Sequence, residues 1–276
     1  MIVVGDKEVR EFREHGYSSA REFFTPEETA AIRAEVERLQ RDGLLRNVAT
    51  VGDGKTPSSV KRNLQLCPMY MHSRLFRALP FAPKVKEAIS QLLGGPVVLR
   101  LDQVFLKPAR EGSGTNWHQD NAYFQIDEPL KGTAMWIAVH DATVANGTIH
   151  VIPDCFAELL EHKRDPDSNH HIRCWPDESK AVPIELPAGG VAFFAYGTPH
   201  CTLGNATDRD RAGVAFHFVH EDNFAEDRQI NGNPIPGYNP VLTGPNATGG
   251  LKEYGEKIEG TWEAEVARTL SADGSG

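Results

Sequence analysis

His118 and Asp120 stand one residue apart in the stretch Asn116 to Tyr123, NWHQDNAY. On an extended backbone, side chains two positions apart leave the same face, so this imidazole and carboxylate can reach one cation. Two ligands make a weak site, and a chain with 11 histidines and 38 acidic residues offers such pairs by accident. A third ligand has to come from elsewhere. Two histidines and one carboxylate on one face of a metal leave three positions open, which suits a non-heme Fe(II) centre that holds a chelating cosubstrate and O2 together.

The best second histidine is His200, in GGVAFFAYGTPHCTLGN, directly after an apolar strand and a Gly-Thr-Pro turn. Arg211 opens the next strand, RAGVAFHF, eleven positions later. If those two strands pair antiparallel, the guanidinium enters the cavity that holds the imidazole. Arginine grips a carboxylate by a two-pronged, charge-assisted contact. A cosubstrate that chelates iron at one end and carries a carboxylate at the other fits both features, and 2-oxoglutarate is such a molecule. The alternative for Arg211 is an ion pair with Asp208 or Asp210. The alternatives for the whole site are a cupin-like isomerase or hydrolase on Zn or Mn, and a catalytically silent binding module. Neither explains why all three ligand types and the arginine stand together.

Other candidates weigh less. His140, His150, His217 and His220 fall on predicted strands, where a structural role is the commoner outcome; His170 and His171 fall in a polar loop, whose default is solvent. Gln103 is a candidate cavity amide, with a ladder or surface position equally open. Lys61 and Arg62 read as solvated cations.

These residues need a scaffold. TPEETAAIRAEVERLQRDG has Thr25 as N-cap, Pro26 at the first helical position, Glu28 three residues after the cap, and an apolar stripe through Ala30, Ile32, Val36 and Leu39, which predicts an amphipathic helix. VKEAISQLLGG repeats the pattern. From Val97 the texture changes to short β-rich runs, VVLRLDQVFLKP, TAMWIAVHDA, TIHVIP, AVPIEL, VAFFAY and RAGVAFHFVH, separated by turn residues. Many short strands predict a sandwich or barrel. The weakly periodic stretch over about 155–181 reads as a long loop or lid, and loops of that length are often functional. The expected organisation is one domain over 1–276, with helical support in 1–95, a β core in 96–222 and a C-terminal extension in 223–276. The final SADGSG reads as a frayed end.

Composition excludes several classes of function. The 276 residues are 40% hydrophobic and 24% charged, an ordinary globular balance, and a net charge of −9 argues against a nucleic-acid or anionic-membrane surface. A small molecule is the expected partner. There is no leader pattern and no apolar run near the ~20 residues of a membrane helix, so the expectation is a cytoplasmic protein. The four cysteines lack C-x-x-C spacing and read as reduced thiols. Oligomeric state is not legible.

Taken in order, FREHGYSSAREFFTPEETAAIRAEVERL, WHQD, NGTIHVIP, GGVAFFAYGTPH and RAGVAFHF make the chain resemble the phytanoyl-CoA dioxygenase family of Fe(II)/2-oxoglutarate oxygenases. The resemblance covers about the first four fifths of the chain, and the ordered combination is specific where each motif alone is weak. It implies a mainly β fold with flanking helices, a double-stranded β-helix or cupin-like jelly-roll. It implies Fe(II), 2-oxoglutarate and O2, with His118, Asp120 and His200 as iron ligands and Arg211 on the distal carboxylate of the cosubstrate. It further implies that Gln119, Trp136 and Thr202 hold the cosubstrate. A carboxylate at Asp120 favours hydroxylation, or desaturation or cyclisation by the same oxidant, since related halogenases leave that place to a halide. One departure is HVIPDCF, where such proteins commonly have Gly-Ser-His after the proline; it puts the entrance near Asp154, Cys155 and Phe156 in question.

Overall fold

The computed structural model describes residues 4–225 and 239–273. In chain order it forms α1 (Asp6–His15), β1 (Tyr17–Ala20), α2 (Pro26–Arg41), β2 (Arg46–Asn47), β3 (Leu64–Leu66), α3 (Arg74–Ala78) and α4 (Pro83–Leu93). Then follow β4 (Val97–Lys107), β5 (Thr115–His118), α5 (Asn121–Phe124), β6 (Gly132–Ala138), β7 (Ile149–Val151), β8 (Lys163–Arg164) and β9 (Ile172–Arg173). The chain continues through β10 (Val182–Ile184), β11 (Val191–Ala195), β12 (His200–Thr202), β13 (Arg211–His220), α6 (Leu251–Tyr254) and α7 (Trp262–Asp273).

A seven-stranded sheet in the order β1-β11-β6-β13-β4-β3-β2 faces a four-stranded sheet in the order β10-β7-β12-β5, and the named strands pair antiparallel. The strand texture predicted a sandwich or barrel, and the architecture is the jelly-roll that the family resemblance implied. The strand β13 alternates strictly, and both of its faces are buried. Val214, Phe216 and Phe218 look outward into the large core that the helices cover, together with Met135 and Ile137 of β6, Phe193 of β11 and Ile32, Val36 and Leu39 of α2. Ala215 looks inward, with Trp136, Phe194, Ile149 and Val151, into the space between the sheets. Alternation on β13 therefore supports the helical layer with one set of side chains and lines the interior with the other.

Local chemistry places the helices where the sequence predicts them. Thr25 Oγ1 accepts from the Glu28 amide at 3.2 Å, and Glu28 Oε2 accepts from the Thr25 amide at 2.8 Å, closing a capping box at the start of α2. The α4 helix ends on Gly94 at φ 78°, a left-handed position that glycine adopts without strain. The C-terminal residues return to this layer: Trp262 donates its indole N–H to Glu28 Oε1 at 2.8 Å, and Arg74 pairs with Glu265 at 2.9 Å. Of the predicted frayed end, Ser271 to Asp273 belong to α7, and 274–276 lie outside the described residues. Among the described residues, no helix is long and apolar enough to cross a membrane.

Asp102, on the outer face of β4, is 2% exposed, and its Oδ1 accepts the backbone N–H groups of Met69 and Tyr70. Burial pushes its carboxyl up to about 7, against the opposing pull of those two donors. A carboxyl whose folded value is raised holds a proton that the unfolded chain has released. Its contribution to stability is therefore complete below about 4 and is lost as pH rises through about 7. Asp102→Asn keeps an acceptor and has no such slope. Its stability relative to the wild type, read from urea midpoints, should improve by about 3 kcal/mol between pH 5 and pH 8. An identical difference at both pH values would contradict this account.

Candidate active site

The strand β5 ends at His118, and the chain turns at once into α5, with Asp120 at φ −59° and ψ −30°. The two side chains therefore converge through this turn, whereas the spacing alone suggested a continuous extended run. His200, the first residue of β12, lies directly opposite His118 in the small sheet, with ring centroids 4.2 Å apart. Each ring donates its Nδ1–H to a backbone carbonyl two residues earlier, His118 to Asn116 O at 2.8 Å and His200 to Thr198 O at 3.0 Å. That leaves both Nε2 atoms turned towards Asp120 Oδ1, at 4.0 and 3.9 Å. One ligand atom from each of the three residues lies within 4.8 Å of the others.

Burial sets the electrostatics of the three groups. Burial holds His118 down to about 4 and His200 well below its ordinary value, while it pushes Asp120 up to about 8. Two neutral imidazoles and an otherwise uncompensated carboxyl match the donor set of a divalent transition metal, whose charge would reverse the shift at Asp120. Among the described residues Asp120 Oδ2 has no hydrogen-bond partner, and it faces His217 Nδ1 at 3.5 Å. The residues fit the ion.

Arg211 and His200 do not lie on adjacent strands as expected. They belong to opposing sheets, because the connection after β12 crosses the sandwich, and β13 pairs with β4 and β6 instead. The consequence for the cavity is the same, since Arg211 enters it from the opposite wall. Arg211 is 1% exposed, sits 5.5 Å over the Trp136 ring, and donates to the carbonyls of Asn146 and Gly147. Neither neighbouring aspartate reaches it: Asp208 pairs with Arg110 at the surface, and Asp210 accepts from the Ala109 amide at 2.9 Å.

Directly across the ladder from Arg211 stands Lys107, also 1% exposed, its ammonium donating to the Ser113 carbonyl. Burial and the adjacent guanidinium push this ammonium well below its ordinary range, and burial lowers Arg211 to about 9. Two buried basic groups that form no ion pair among the described residues make a receptor for an anion. Lys107 escaped the sequence reading, although it follows Gln103 by four positions on one strand and so shares its face.

His118, Asp120, His200, Trp136, Thr202, Lys107 and Arg211 all line one cavity of 350 Å³. Thr202 Oγ1 accepts from the Thr115 amide at 3.1 Å. Gln119 does not line it. Its amide donates to the carbonyls of Glu158 and Gly197 and accepts from the Leu160 amide, so it ties the long loop to the strand ends. His170 and His171 of that loop do line the cavity, and His171 is buried, stacked over His118 at 6.3 Å, where solvent was the expectation. Arg173 and Trp175 stack on each other at 5.0 Å away from the cavity, with Trp175 mostly exposed. His217, expected to be structural, lines the cavity behind Asp120. Asp154 lies elsewhere: it pairs with His15 at 2.8 Å, and the Phe156 ring packs so closely on Gly16, at φ 78°, that a Cβ there would meet it at 2.6 Å. Asp154 and Phe156 therefore face the N-terminal segment, whereas Cys155 packs against the cluster of Trp117, Ile152, Cys174 and Cys201. Lys61 and Arg62 form surface pairs with Asp167 and Glu111.

A jelly-roll carrying a buried two-histidine, one-carboxylate cluster opposite a cationic pocket defines a non-heme Fe(II)/2-oxoglutarate-dependent dioxygenase. The chain belongs to the phytanoyl-CoA dioxygenase (PhyH) family, whose model matches residues 12–213. It is 22% identical over 250 residues to ectoine dioxygenase of Bordetella parapertussis, covering 83% of this chain and 80% of that one. It is 24% identical over 271 residues to phytanoyl-CoA dioxygenase domain-containing protein 1 of Danio rerio, covering 81% and 92%. Among solved structures, the alpha-ketoglutarate-dependent carbocyclase SnoK from nogalamycin biosynthesis superposes with a TM-score of 0.69 at 21% identity, over 87% of this chain and 96% of that one.

Proposed function

We infer that the protein hydroxylates an unactivated C–H bond of a small molecule, with His118, Asp120 and His200 holding Fe(II) and with Arg211 and Lys107 receiving the distal carboxylate of 2-oxoglutarate. When bound, Fe(II) with 2-oxoglutarate and O2 supplies the oxidising power for hydrogen removal and oxygen insertion, with succinate and CO2 released. The observation that carries this reading is the buried cation pair on the wall opposite the metal cluster, because a metal-binding isomerase, hydrolase or silent module has no use for it.

The remaining roles follow from contacts. Trp136 packs beneath the Arg211 guanidinium and holds its plane. Thr202 borders the cosubstrate space, and Gln119 anchors the loop that covers it. Tyr123 accepts the Ile172 amide at 2.9 Å, a second tie from the metal side to the same loop. The loop excludes water from the reacting atoms. A cavity of 350 Å³ lies at the lower end of the range for small-molecule sites and has to hold cosubstrate and substrate together, which favours a compact substrate. The relatives' names span an ectoine dioxygenase and a carbocyclase, so they do not identify this chain's substrate.

The direct test is anaerobic addition of 2-oxoglutarate to the Fe(II)-loaded protein. A visible metal-to-ligand charge-transfer band should appear in the wild type and be missing in His200→Ala. No band in iron-loaded wild type would move the site to another metal and another reaction.

A further inference from the structure

Histidines aside, the charged residues that line the cavity are Arg46, Lys107, Arg211 and Asp120. Asp120 stands at the metal, and Lys107 and Arg211 stand at the cosubstrate end, which leaves the Arg46 guanidinium without a task. It sits at the opposite end of the sheet. In the ladder Arg46 of β2 faces Gln65, Gln65 faces Phe105 and Phe105 faces Gly213, so Arg46 shares the inner face from the outermost strand. Arg211 lies three strand spacings away on β13, which separates the two backbones by about 14 Å. Of the lining residues only Arg46 and Cys67 are exposed, so the cavity opens beside Arg46.

From the metal outward, the rings of His118, His171 and His170 follow one another at centroid spacings of 6.3 and 4.1 Å. Burial, and then the charges of Arg46 and Arg164, hold His170 down to about 4, so the Arg46 guanidinium stands near the outer end of this row. Among the described residues Arg46 forms no ion pair and no side-chain hydrogen bond. The acidic groups of the two loops around it have other partners. Asp53 accepts from the Thr56 hydroxyl at 2.6 Å, Asp165 accepts from the Asn116 side chain at 2.9 Å, and Asp167 pairs with Lys61 at 3.6 Å. A cation without a counter-charge at a cavity mouth draws anions locally, even on a chain of net charge −9. A metal dication and the 2-oxoglutarate dianion cancel each other, so loading the site leaves that excess in place.

We propose that the substrate is a compact carboxylate whose anionic end is held by Arg46 at the cavity mouth, with oxygen insertion at a carbon remote from that carboxylate. The proposal names the substrate class of the dioxygenase reading and rests on it. One guanidinium fork matches one carboxylate, whereas a phosphate dianion calls for more donors than a single fork supplies. The inner face of β4 presents Leu101 and Phe105 to the same cavity, apolar surface for the hydrocarbon body of such an acid. Anchoring the charged end fixes which carbon lies over the metal.

The test uses full-length protein loaded with Co(II) and saturated with 2-oxoglutarate, so that the Arg211 end is already filled. Two matched probe pairs are cyclohexanecarboxylate against cyclohexanecarboxamide, and 4-methylpentanoate against its amide. Ligand-observed NMR should give a dissociation constant roughly tenfold lower for each acid in the wild type, a ratio near one in Arg46→Gln, and a recovered preference in Arg46→Lys. Arg46 is exposed on an edge strand, so Arg46→Gln should fold as the wild type does. The paramagnetic effect of Co(II) should be strongest on the probe protons farthest from the carboxylate and weakest on those beside it. Equal binding within each pair, binding of neither member, or an acid preference that survives in Arg46→Gln overturns the proposal. So does the reverse order of paramagnetic effects, which would put the carboxylate on the metal, or a weakened hold on 2-oxoglutarate in Arg46→Gln, which would give Arg46 to the cosubstrate. Co(II) content measured alongside separates the two readings: a protein that takes up no metal defeats the metal site itself, whereas a metal-loaded protein without acid preference defeats this inference alone.

Discussion

Arg211→Ala should raise the 2-oxoglutarate concentration required for half-maximal turnover by roughly a hundredfold or more, while iron uptake stays close to that of the wild type. The guanidinium is fully buried, forms no ion pair among the described residues, and shares its end of the cavity with the Lys107 ammonium. Removing one of two cations from a desolvated carboxylate receptor weakens charge-assisted hydrogen bonds where no water can replace them. Lys107→Met should act in the same direction, and Arg211→Lys should restore part of the loss by returning the charge without the fork. Asp208→Ala is the control for a merely structural role, because Asp208 pairs with Arg110 at the surface and not with Arg211. The measurement is succinate release against 2-oxoglutarate concentration for all four variants. An unchanged requirement in Arg211→Ala, or an equal loss in Asp208→Ala, would end the cosubstrate assignment.

That result bears on how far the chain could be read without its fold. Capping residues and strand texture are local, and they predicted α2, α4 and the strand set of the jelly-roll because both depend on short-range periodicity. His118, Asp120, His200 and Arg211 were legible because each residue type is matched to one task and stands beside a recognisable turn or strand end. The routes by which they meet were not. His118 and Asp120 converge through a turn into α5, and Arg211 reaches the cavity from the sheet opposite His200. Which sheet a strand joins is decided by long-range pairing, and nothing within eleven residues of sequence encodes that choice.

The residues missed have a common property. Lys107 and His217 are polar positions inside alternating strands, and alternation says only which side chains share a face. Whether that face looks into a core, a cavity or solvent depends on the partner sheet. Gln119 shows the converse: the family resemblance implied a cosubstrate contact, whereas its amide bonds to Glu158, Leu160 and Gly197 outside the cavity lining. Sequence adjacency to a ligand and contact with the cavity are different things on a chain that turns sharply.

The larger loss is expected at the metal. Asp120→Ala removes the single anionic ligand and leaves two imidazoles that burial already holds neutral, so the remaining site has no negative charge to offset a dication. It also leaves His217 Nδ1 without the carboxylate it faces at 3.5 Å. Iron content at stoichiometric Fe(II) should collapse, and 2-oxoglutarate-dependent succinate release should fall by on the order of a thousandfold, beyond the 10–100-fold typical of losing a supporting partner. His140→Ala is the matching control, because His140 accepts the Ala212 amide at 3.1 Å and does not line the cavity. Asp120→Asn separates charge from shape: it retains an oxygen donor of similar reach, so recovery of iron binding there would assign the loss to geometry, and continued failure would assign it to charge. Undiminished succinate production in Asp120→Ala would remove Asp120 from the metal and leave the two imidazoles without a carboxylate partner in the assignment.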